Sequence, residues 1–391
     1  MSIELPYFDY AATTPADARV ITAMSECLGI DGIFGNPASS SHAAGARARD
    51  KVEQARSQVA ALIGAMPDEI IWTSGATESN NLALKGFAEA AAAPFHLVTS
   101  AIEHKAILDT AARLESKGVF ITYIAPTREG AITPAAVAAA LRPNTGMVSL
   151  MLVNNELGTL TDIGSMAESV HALGALLHVD AAQALGKVPI DVVALGIDLM
   201  SMSAHKVYGP KGIGALYVSR AARSRLCAQM HGGGHEQGLR SGTLATHQIV
   251  GMGTACAIAA EQMSSDTYRI TALSERFLRG VLSFKGVRQN AREGLRIPHT
   301  LSVTVDRPDF FPFMLADDLA VSSTSACNSA AGTPSHVLSA IGLDENVAGR
   351  TVRISLGRFT TEQDVDHAIE CFRRMIEPSG PLTVPVQASA A

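Results

Sequence analysis

The sequence has few cysteines, and none of them form a C-x-x-C motif. Its five cysteines, at positions 27, 227, 256, 327 and 371, are scattered and odd in number. This distribution argues against a disulfide framework and against a zinc ribbon, and it favours a reducing compartment. We therefore expect the protein to be cytoplasmic.

An excess of basic residues and long apolar runs are also missing. The chain has 31 Lys and Arg against 37 Asp and Glu, a formal net charge of −6. The bulk charge thus offers no basic surface for a phosphate backbone, and we expect no direct binding to nucleic acid. The first residues, 1–6, lack the basic and apolar regions of a signal peptide, and no apolar run is long enough to cross a bilayer. We expect no association with a membrane.

What the sequence does contain is an alternation of apolar, β-rich runs with alanine-rich helical stretches. This alternation is typical of an α/β fold with a mostly parallel sheet and helices on both faces. The predicted strands are 70–73, 96–100, 120–124, 147–153, 176–180, 198–201 and 213–218. The predicted helices between them are 46–63, 77–92, 106–117, 134–141 and 165–173.

The pattern changes after the glycine cluster at 232–234. A long helix is predicted over 247–279, followed by shorter strands at 301–305 and 353–356. We predict a large domain over 14–255 and a smaller α+β domain formed by 1–13 and 256–376. Residues 377–391 are rich in Pro, Ala and Ser, and we predict a flexible tail there.

Lys206 follows directly on a predicted strand, behind Ser203 and His205. Ligands of open α/β sheets bind at the carboxyl ends of the strands, and a lysine there can form an imine with an aldehyde. This indicates pyridoxal phosphate (PLP) chemistry. Taken alone the signal is weak, because a lysine at a strand end commonly just extends its amine into solvent.

Polar groups at other strand ends belong to the same predicted site. The turn 73–77 leads into a helix, and its free backbone N–H groups with the Thr77 hydroxyl predict a phosphate site; a capped helix start is the alternative. No P-loop motif is present.

Asp180 ends a buried strand, where a pyridinium nitrogen would be a suitable partner, although a helix N-cap is the other interpretation. Gln183 lies three residues further on, within reach of the ring hydroxyl if the chain turns into a helix.

Two further strand ends carry Asn155 and His104. Asn155 is placed to bind a substrate carboxylate or the ring oxygen, or it is simply a turn residue. His104 is placed to stack on the ring and move protons, or it is a solvated loop histidine.

Together these strand ends predict a PLP-dependent transferase of fold type I, with a seven-stranded sheet. The sequence also contains a series of short motifs: YAATTP (10–15), GNPAS (35–39), TSGATES (73–79), EHK (103–105), VNNE (153–156), HVDAAQ (178–183), SAHK (203–206), YGPKG (208–212), HGGGH (231–235), RSGT (240–243) and RISLGR (353–358). Through these motifs, from about residue 7 to about residue 374, the chain resembles the cysteine desulfurases of the NifS/IscS type, in the class-V aminotransferase family.

The resemblance implies a role for each site residue. Lys206 resembles the lysine that forms the Schiff base with PLP, Asp180 the partner of the pyridine nitrogen, and His104 the stacked acid/base. Gln183 and Asn155 would lie beside the ring oxygen. The implied phosphate ligands are Ala76, Thr77, Ser203, His205 and, from the other subunit of a homodimer, Thr243. Arg353 resembles the arginine that binds the substrate carboxylate, a task suited to its planar donor fork.

Cys327 lies in a stretch of small polar residues, 321–335, with little to pack. A single cysteine in such an exposed loop is suited to act as a nucleophile and to carry its product elsewhere, while an incidental loop thiol is the alternative. Cys27, Cys256 and Cys371 lie in apolar helical contexts and are predicted to be buried; Cys227 is ambiguous.

The predicted reaction converts L-cysteine to L-alanine, with the sulfur captured as a persulfide on Cys327 and passed to a sulfur-acceptor protein. Acceptors in iron–sulfur cluster assembly, tRNA thiolation and DNA phosphorothioation all stay open. The chain departs from the housekeeping members at its uncharged end, 386–391, which puts docking of the usual iron–sulfur scaffold in doubt. It also departs from them at Asn328, which is compatible with a specialised paralogue.

Two other classes of protein are alternatives. One is a related PLP enzyme such as a selenocysteine lyase or a transaminase, which would not need Cys327. The other is a non-catalytic sulfur-relay subunit, which would not need Lys206. No metal site is predicted, because the three glycines between His231 and His235 oppose the helix that a His-x-x-x-His site requires.

Overall fold

The computed structural model describes residues 5–92, 94–323 and 335–377. Its α-helices are α1 (Ala18–Ser25), α2 (Ala43–Leu62), α3 (Ala76–Ala90), α4 (Lys105–Glu115), α5 (Pro134–Ala140), α6 (Gly164–His171), α7 (Thr246–Val281), α8 (His336–Ala340), α9 (Glu345–Ala348) and α10 (Glu362–Ile376). Its strands are β1 (Ile70–Thr73), β2 (His96–Ser100), β3 (Phe120–Ile124), β4 (Thr145–Met151), β5 (Leu176–Asp180), β6 (Leu199–Ser203), β7 (Gly214–Val218), β8 (Val287–Gln289), β9 (Thr300–Val305) and β10 (Thr351–Ser355).

The first seven strands form one sheet in the order β1-β7-β6-β5-β4-β2-β3. Neighbouring strands are parallel from β6 through β3, whereas β7 runs antiparallel to both β6 and β1. The prediction of a mostly parallel seven-stranded sheet is therefore confirmed. The parallel strands carry their carboxyl ends to one edge, where ligands of such sheets bind.

Helices cover both faces of this sheet, as the side chains of β1 illustrate. Successive side chains of a strand point to opposite faces. Trp72 belongs to a core that includes Val52 of α2 and Ile249 of α7, while its neighbour Ile71 belongs to a second core that includes Leu84 of α3. Both faces being buried explains why the strands read as continuous apolar runs rather than as an alternation.

A second, antiparallel sheet has the order β10-β9-β8. Its core contains Phe8 from the start of the chain, Phe277 from the second half of α7 and Phe372 from α10. The first half of α7 packs instead in the core of the large sheet. The smaller α+β unit expected from the sequence is thus present and α7 joins the two sheets, while the domain boundaries stay a prediction.

The structure differs from the predicted elements at several points. β4 ends two residues before its predicted end, because the chain turns there: Val153 bridges to Leu160, and the Asn154 N–H donates to the Thr159 carbonyl at 2.9 Å. The helices α1 and α10 were not among the predicted elements. In α10 the buried residues 365, 368, 372 and 376 follow helical spacing, so its periodicity carried the signal.

The cysteines of the described chain are free thiols. Cys27, Cys256 and Cys371 are buried, as predicted, and Cys227 is half-buried. Cys327 lies outside the described residues, as does nearly all of the predicted tail. None of the helices in residues 5–92, 94–323 and 335–377 combines the length and apolar character that a membrane crossing needs.

Candidate active site

A cavity of about 450 Å³ opens at the carboxyl ends of the parallel strands. It gathers ten of the residues that the sequence predicted for the site: Ala76, Thr77, His104, Asn155, Asp180, Gln183, Ser203, His205, Lys206 and Arg353. Thr243 does not line it, but faces a smaller neighbouring cavity of about 120 Å³ that shares Ser74 and Gly212 with the first. The predicted residues thus converge in space, while their roles stay predictions.

The N-terminus of α3 forms one end of the cavity. Its N-cap, Gly75, has a φ of 154° and provides no side-chain cap, so the first-turn N–H groups are left for another acceptor. A Cβ at Gly75 would contact nothing within 4 Å, which means that the backbone conformation rather than space calls for glycine there. Such an uncapped helix end is suited to bind a dianion.

Ser203 is the last residue of β6, and His205 lies two residues further on; both line the same cavity. Ser203 is buried, and His205 places its Nδ1 at 3.1 Å from the Thr13 hydroxyl. Burial, reinforced by the charge of Lys206, lowers the pKa of His205 to about 4. The ring is therefore neutral near pH 7 and acts on an anion only as a hydrogen-bond donor.

Asp180 is the last residue of β5 and is 5% exposed. Its Oδ2 accepts from Asn80 Nδ2 at 2.8 Å, and its Oδ1 accepts from the backbone N–H of Ala182 at 2.9 Å. The segment after Asp180 forms turns rather than a helix, so Asp180 caps a turn and not the start of a helix. Two hydrogen bonds hold the carboxylate at the cavity wall, where it can pair with a buried cation.

Lys206 ends the single 3₁₀ turn Ala204–Lys206, directly after β6. Its Nζ donates to the carbonyl oxygens of Ala11 and Ala12, each at 2.6 Å. The segment that starts the chain therefore packs beside the lysine and fixes the position of its amine. The sequence motif at 10–15 marked this segment but gave no hint of that contact.

Gln183 lies in the turn that follows β5, not in the helix that its predicted reach assumed. Its Nε2 donates to the Ala11 carbonyl at 2.8 Å, and its Oε1 accepts from Lys187 Nζ at 2.8 Å. The amide is held at both ends, and Nε2 keeps a second N–H beyond its bond to Ala11.

His104 is the N-cap of α4, where its Nδ1 accepts from the backbone N–H of Ala106 at 3.1 Å. Burial lowers the pKa of His104, and the charge of Asp180 opposes part of that shift. The neutral ring therefore carries its proton on Nε2. It is a hydrogen-bond donor in this state, and it can take up a proton only by giving up its bond to Ala106.

Arg353 lies in β10 and is 3% exposed. Its Nη2 donates to Asp9 Oδ1 at 2.6 Å, and its Nη1 donates to the Asn155 carbonyl at 3.1 Å. Its Nε has no hydrogen-bond partner among the described residues. A buried donor fork with an unsatisfied N–H at a cavity wall is suited to bind a carboxylate.

The residues present fit PLP. The uncapped end of α3 offers a site for the phosphate, Asp180 offers a buried carboxylate for a ring nitrogen, and Lys206 lies in the same cavity with its amine already positioned. The cavity volume falls within the range of about 300–1,000 Å³ that is usual for small-molecule sites.

Comparison with known proteins agrees with this geometry. A sequence model of the family described as class-V aminotransferase matches residues 6–368. The fold and the cavity thus define a PLP-dependent enzyme of the class-V aminotransferase type.

Individual relatives indicate which enzymes of this class the chain is similar to. The chain is 54% identical over 371 residues to the cysteine desulfurase IscS of Pseudomonas entomophila (strain L48), covering 94% of this chain and 92% of that protein. A solved structure of SspA in complex with cysteine is 41% identical, with a TM-score of 0.81, and covers 91% of this chain and 99% of that one. DndA from Streptomyces lividans is 36% identical, with a TM-score of 0.75, over 88% of this chain and 98% of that one. The chain belongs to the PLP-dependent cysteine desulfurases of the NifS/IscS type.

The site contains residues that the sequence reasoning did not single out. Asp9 holds Arg353, Asn80 holds Asp180, and Lys187 holds Gln183. Asp9 directly precedes the motif at 10–15, and its place beside that motif could have drawn attention to it. Asn80 directly follows the motif at 73–79, so the same signal was available for it, whereas Lys187 lies in a turn with no local pattern that sets it apart.

Proposed function

We propose that this enzyme converts L-cysteine to L-alanine, captures the sulfur as a persulfide on Cys327 and passes it to an acceptor protein. The observation that carries the proposal is the placement of Lys206 in one cavity with the uncapped end of α3 and with buried Asp180. Membership of the cysteine desulfurases supports the choice of substrate.

Bound PLP would supply an electron sink for the electrons released at the α-carbon of the substrate. We assign its ring nitrogen to Asp180 and its ring oxygen to Gln183 and Asn155. We assign the phosphate to the backbone N–H of Ala76, to the hydroxyls of Thr77 and Ser203, and to the ring of His205.

Lys206 would remove the proton from the α-carbon of the bound substrate. The carbonyls of Ala11 and Ala12 accept hydrogen bonds from its Nζ at 2.6 Å, so the free amine has a fixed position in the cavity. Arg353 would bind the substrate carboxylate, using the donor that no described residue occupies. His104 would donate from Nε2 to the substrate, and would move the thiol proton once its Nδ1 bond to Ala106 opens.

Cys327 would act as the nucleophile. Its thiolate attacks the sulfur of the substrate, an S–S bond forms, and the C–S bond breaks with its electrons passing to the β-carbon. That carbon gains a proton, so one cysteine and one enzyme thiol give one alanine and one enzyme persulfide. The atoms and electrons balance without an external oxidant.

The described residues on either side of 324–334 support this role for Cys327. On one side, the backbone N–H of Arg353 donates to the Ser322 carbonyl at 2.8 Å. On the other side, the Ser335 hydroxyl donates to Glu156 Oε2 at 2.5 Å, next to Asn155. The described residues before and after 324–334 are therefore bonded to Arg353, which lines the cavity, and to Glu156, the neighbour of Asn155, which also lines it.

The test measures alanine release from L-cysteine by the PLP-loaded enzyme with a reductant. We expect Cys327→Ala to lose alanine release while the visible absorption of its bound cofactor is unchanged. Cys227→Ala, at the half-buried thiol outside the cavity, is the matched control and should behave as wild type. If the Cys327→Ala variant releases as much alanine as wild type, Cys327 is not the nucleophile, and the alternative of a lyase or a transaminase is favoured.

We also propose that the enzyme is a homodimer in which the partner's Thr243 completes the phosphate site. Within one chain Thr243 faces the neighbouring cavity instead. Large apolar side chains before the GNPAS motif are exposed, Ile30 at 83% and Phe34 at 54%, as expected of a surface that a second copy covers.

Mixed dimers test this arrangement. Lys206→Ala and Thr243→Val subunits are each expected to be inactive or weak alone. Their mixture should regain activity, because the Lys206→Ala subunit supplies an intact Thr243 to the intact Lys206 of its partner. No recovery in a mixture shown to contain the heterodimer would contradict the shared site.

The acceptor is proposed to be a protein thiol in the cytoplasm. The thiols of the described chain are free, in keeping with a reducing compartment. Transfer of radioactive sulfur from L-cysteine to candidate scaffold, tRNA-thiolation and DNA-phosphorothioation proteins would identify the acceptor. Transfer to none of these proteins would contradict the proposed classes of acceptor.

A further inference from the structure

Lys187 is a buried lysine whose burial the proposed chemistry does not explain. It lies four residues after Gln183, is 9% exposed, and does not line the cavity. Burial, together with the charges of Lys206 and Arg353, lowers the pKa of Lys187 to about 7. Lys187 in turn lowers the pKa values of His205 and His299. A buried amine in such cationic surroundings is costly, and it calls for a compensating role.

The hydrogen bonds of Lys187 lead to the catalytic lysine. Its Nζ donates to Gln183 Oε1 at 2.8 Å, Gln183 Nε2 donates to the Ala11 carbonyl at 2.8 Å, and Lys206 Nζ donates to the same carbonyl at 2.6 Å. The Gln183 oxygen is thus occupied by an amine donor. Its nitrogen is turned toward a carbonyl that can only accept.

We propose that Lys187 is a positioning residue, which fixes the Gln183 amide so that its second Nε2–H faces the ring oxygen of PLP. The inference rests on the proposed assignment of Gln183 to that oxygen. Without Lys187 the amide loses the donor that holds its oxygen away and is free to rotate. The ring oxygen then loses a hydrogen-bond donor, its negative charge is less stabilised, and the cofactor holds its exchangeable proton more tightly.

The experiment compares wild type with Lys187→Met, which keeps the length of the side chain and removes the donor. The visible absorption of the PLP-loaded enzymes is titrated with pH in the absence of substrate. We expect the midpoint of the titration to rise by about 1 to 2 pH units, the effect of losing one hydrogen bond to a charged oxygen. We expect kcat to fall while KM changes less than twofold, since Lys187 touches no substrate group. Lys187→Leu covers the case in which the methionine variant does not fold.

A double-mutant comparison separates positioning from packing. In a Gln183→Leu background, Lys187→Met should shift the midpoint no further, because its effect passes through the amide. The same shift in that background would show that Lys187 acts by charge alone, which overturns the proposal. A lower Tm of the variant with an unmoved midpoint would show a purely structural role, which also overturns it.

The outcomes also separate this inference from the proposed function. If Gln183→Leu alone leaves the midpoint unchanged, the assignment of Gln183 to the ring oxygen fails. If Lys187→Met leaves the midpoint unchanged while wild type still releases alanine through Cys327, the role of Lys187 fails and the proposed function stands.

Discussion

Replacing Arg353 with methionine should weaken the capture of L-cysteine far more than it slows the turnover of bound substrate. The guanidinium is buried at 3% exposure and is held in place by Asp9 and by the Asn155 carbonyl, at 2.6 and 3.1 Å. Its Nε lacks a partner among the described residues. The donor fork is therefore rigid and incompletely used until a carboxylate arrives.

The size of the effect follows from the bonds that would be lost. A hydrogen bond to a charged group contributes about 1.5–3 kcal/mol, and a carboxylate on this fork would take two. We take about 3–4 kcal/mol for the pair, since Asp9 and the Asn155 carbonyl already share the guanidinium. This corresponds to a loss of about 10²- to 10³-fold in kcat/KM, at about 1.4 kcal/mol for each factor of ten.

The assay is the initial rate of alanine release over a range of L-cysteine concentrations. Asp9→Asn is the matched control, because it keeps every donor of Arg353 and removes only the charge that orients it; we expect a loss of about tenfold or less. A methionine variant whose KM is unchanged would refute the assignment of Arg353 to the substrate carboxylate. An Asp9→Asn variant as impaired as Arg353→Met would show that the ion pair itself, not the free donor, matters.

Two further predictions concern stability. Glu236 is buried; it accepts from the Arg56 guanidinium at 2.8 and 2.9 Å and from the backbone N–H of Trp72 at 2.8 Å. Glu236→Gln should therefore cost about 4 kcal/mol and lower Tm by about 5 °C for a chain of this length. An unchanged Tm by calorimetry would show that this buried pair contributes nothing net. Burial lowers the pKa values of His178 and His299 to about 3. Between about pH 6.5 and 3 these histidines are therefore protonated in the unfolded chain and neutral in the folded chain. The free energy of unfolding thus falls as pH falls, by about 1.4 kcal/mol per pH unit for each histidine. Denaturant unfolding of wild type and His178→Gln at about pH 7 and about pH 5.5 should show a weaker pH dependence in the variant, and equal slopes would contradict the account.

The sequence predicted the large sheet well for a physical reason. Strands β1, β2, β3 and β5 have their predicted bounds, because each is an apolar run between turn or helix signals. The order of the strands and the antiparallel direction of β7 were not predictable, since they depend on pairings between distant segments. The end of β4 was predicted two residues too late, because the apolar run continues through Val153. In the fold, Val153 forms an isolated bridge to Leu160 instead of continuing the strand.

The same distinction between local patterns and contacts of distant segments applies to the candidate site. Lys206, Asp180, Asn155 and His104 were found because each is a polar residue at the end of an apolar strand, and the ends of parallel strands meet. The groups that hold them were not found. The Ala11 carbonyl is 195 residues from Lys206 and Asp9 is 344 residues from Arg353, so only the folded chain brings each pair together.

The most direct test of the central claim is mass spectrometry of the peptide that contains Cys327. The PLP-loaded enzyme is given L-cysteine for a single turnover without an acceptor or reductant, and alanine is quantified in the same sample. We predict that this peptide gains the mass of one sulfur atom in proportion to the alanine formed, and that no peptide of a Lys206→Ala enzyme does so. Alanine formed without added sulfur on Cys327, or with the sulfur on another cysteine, would contradict the account.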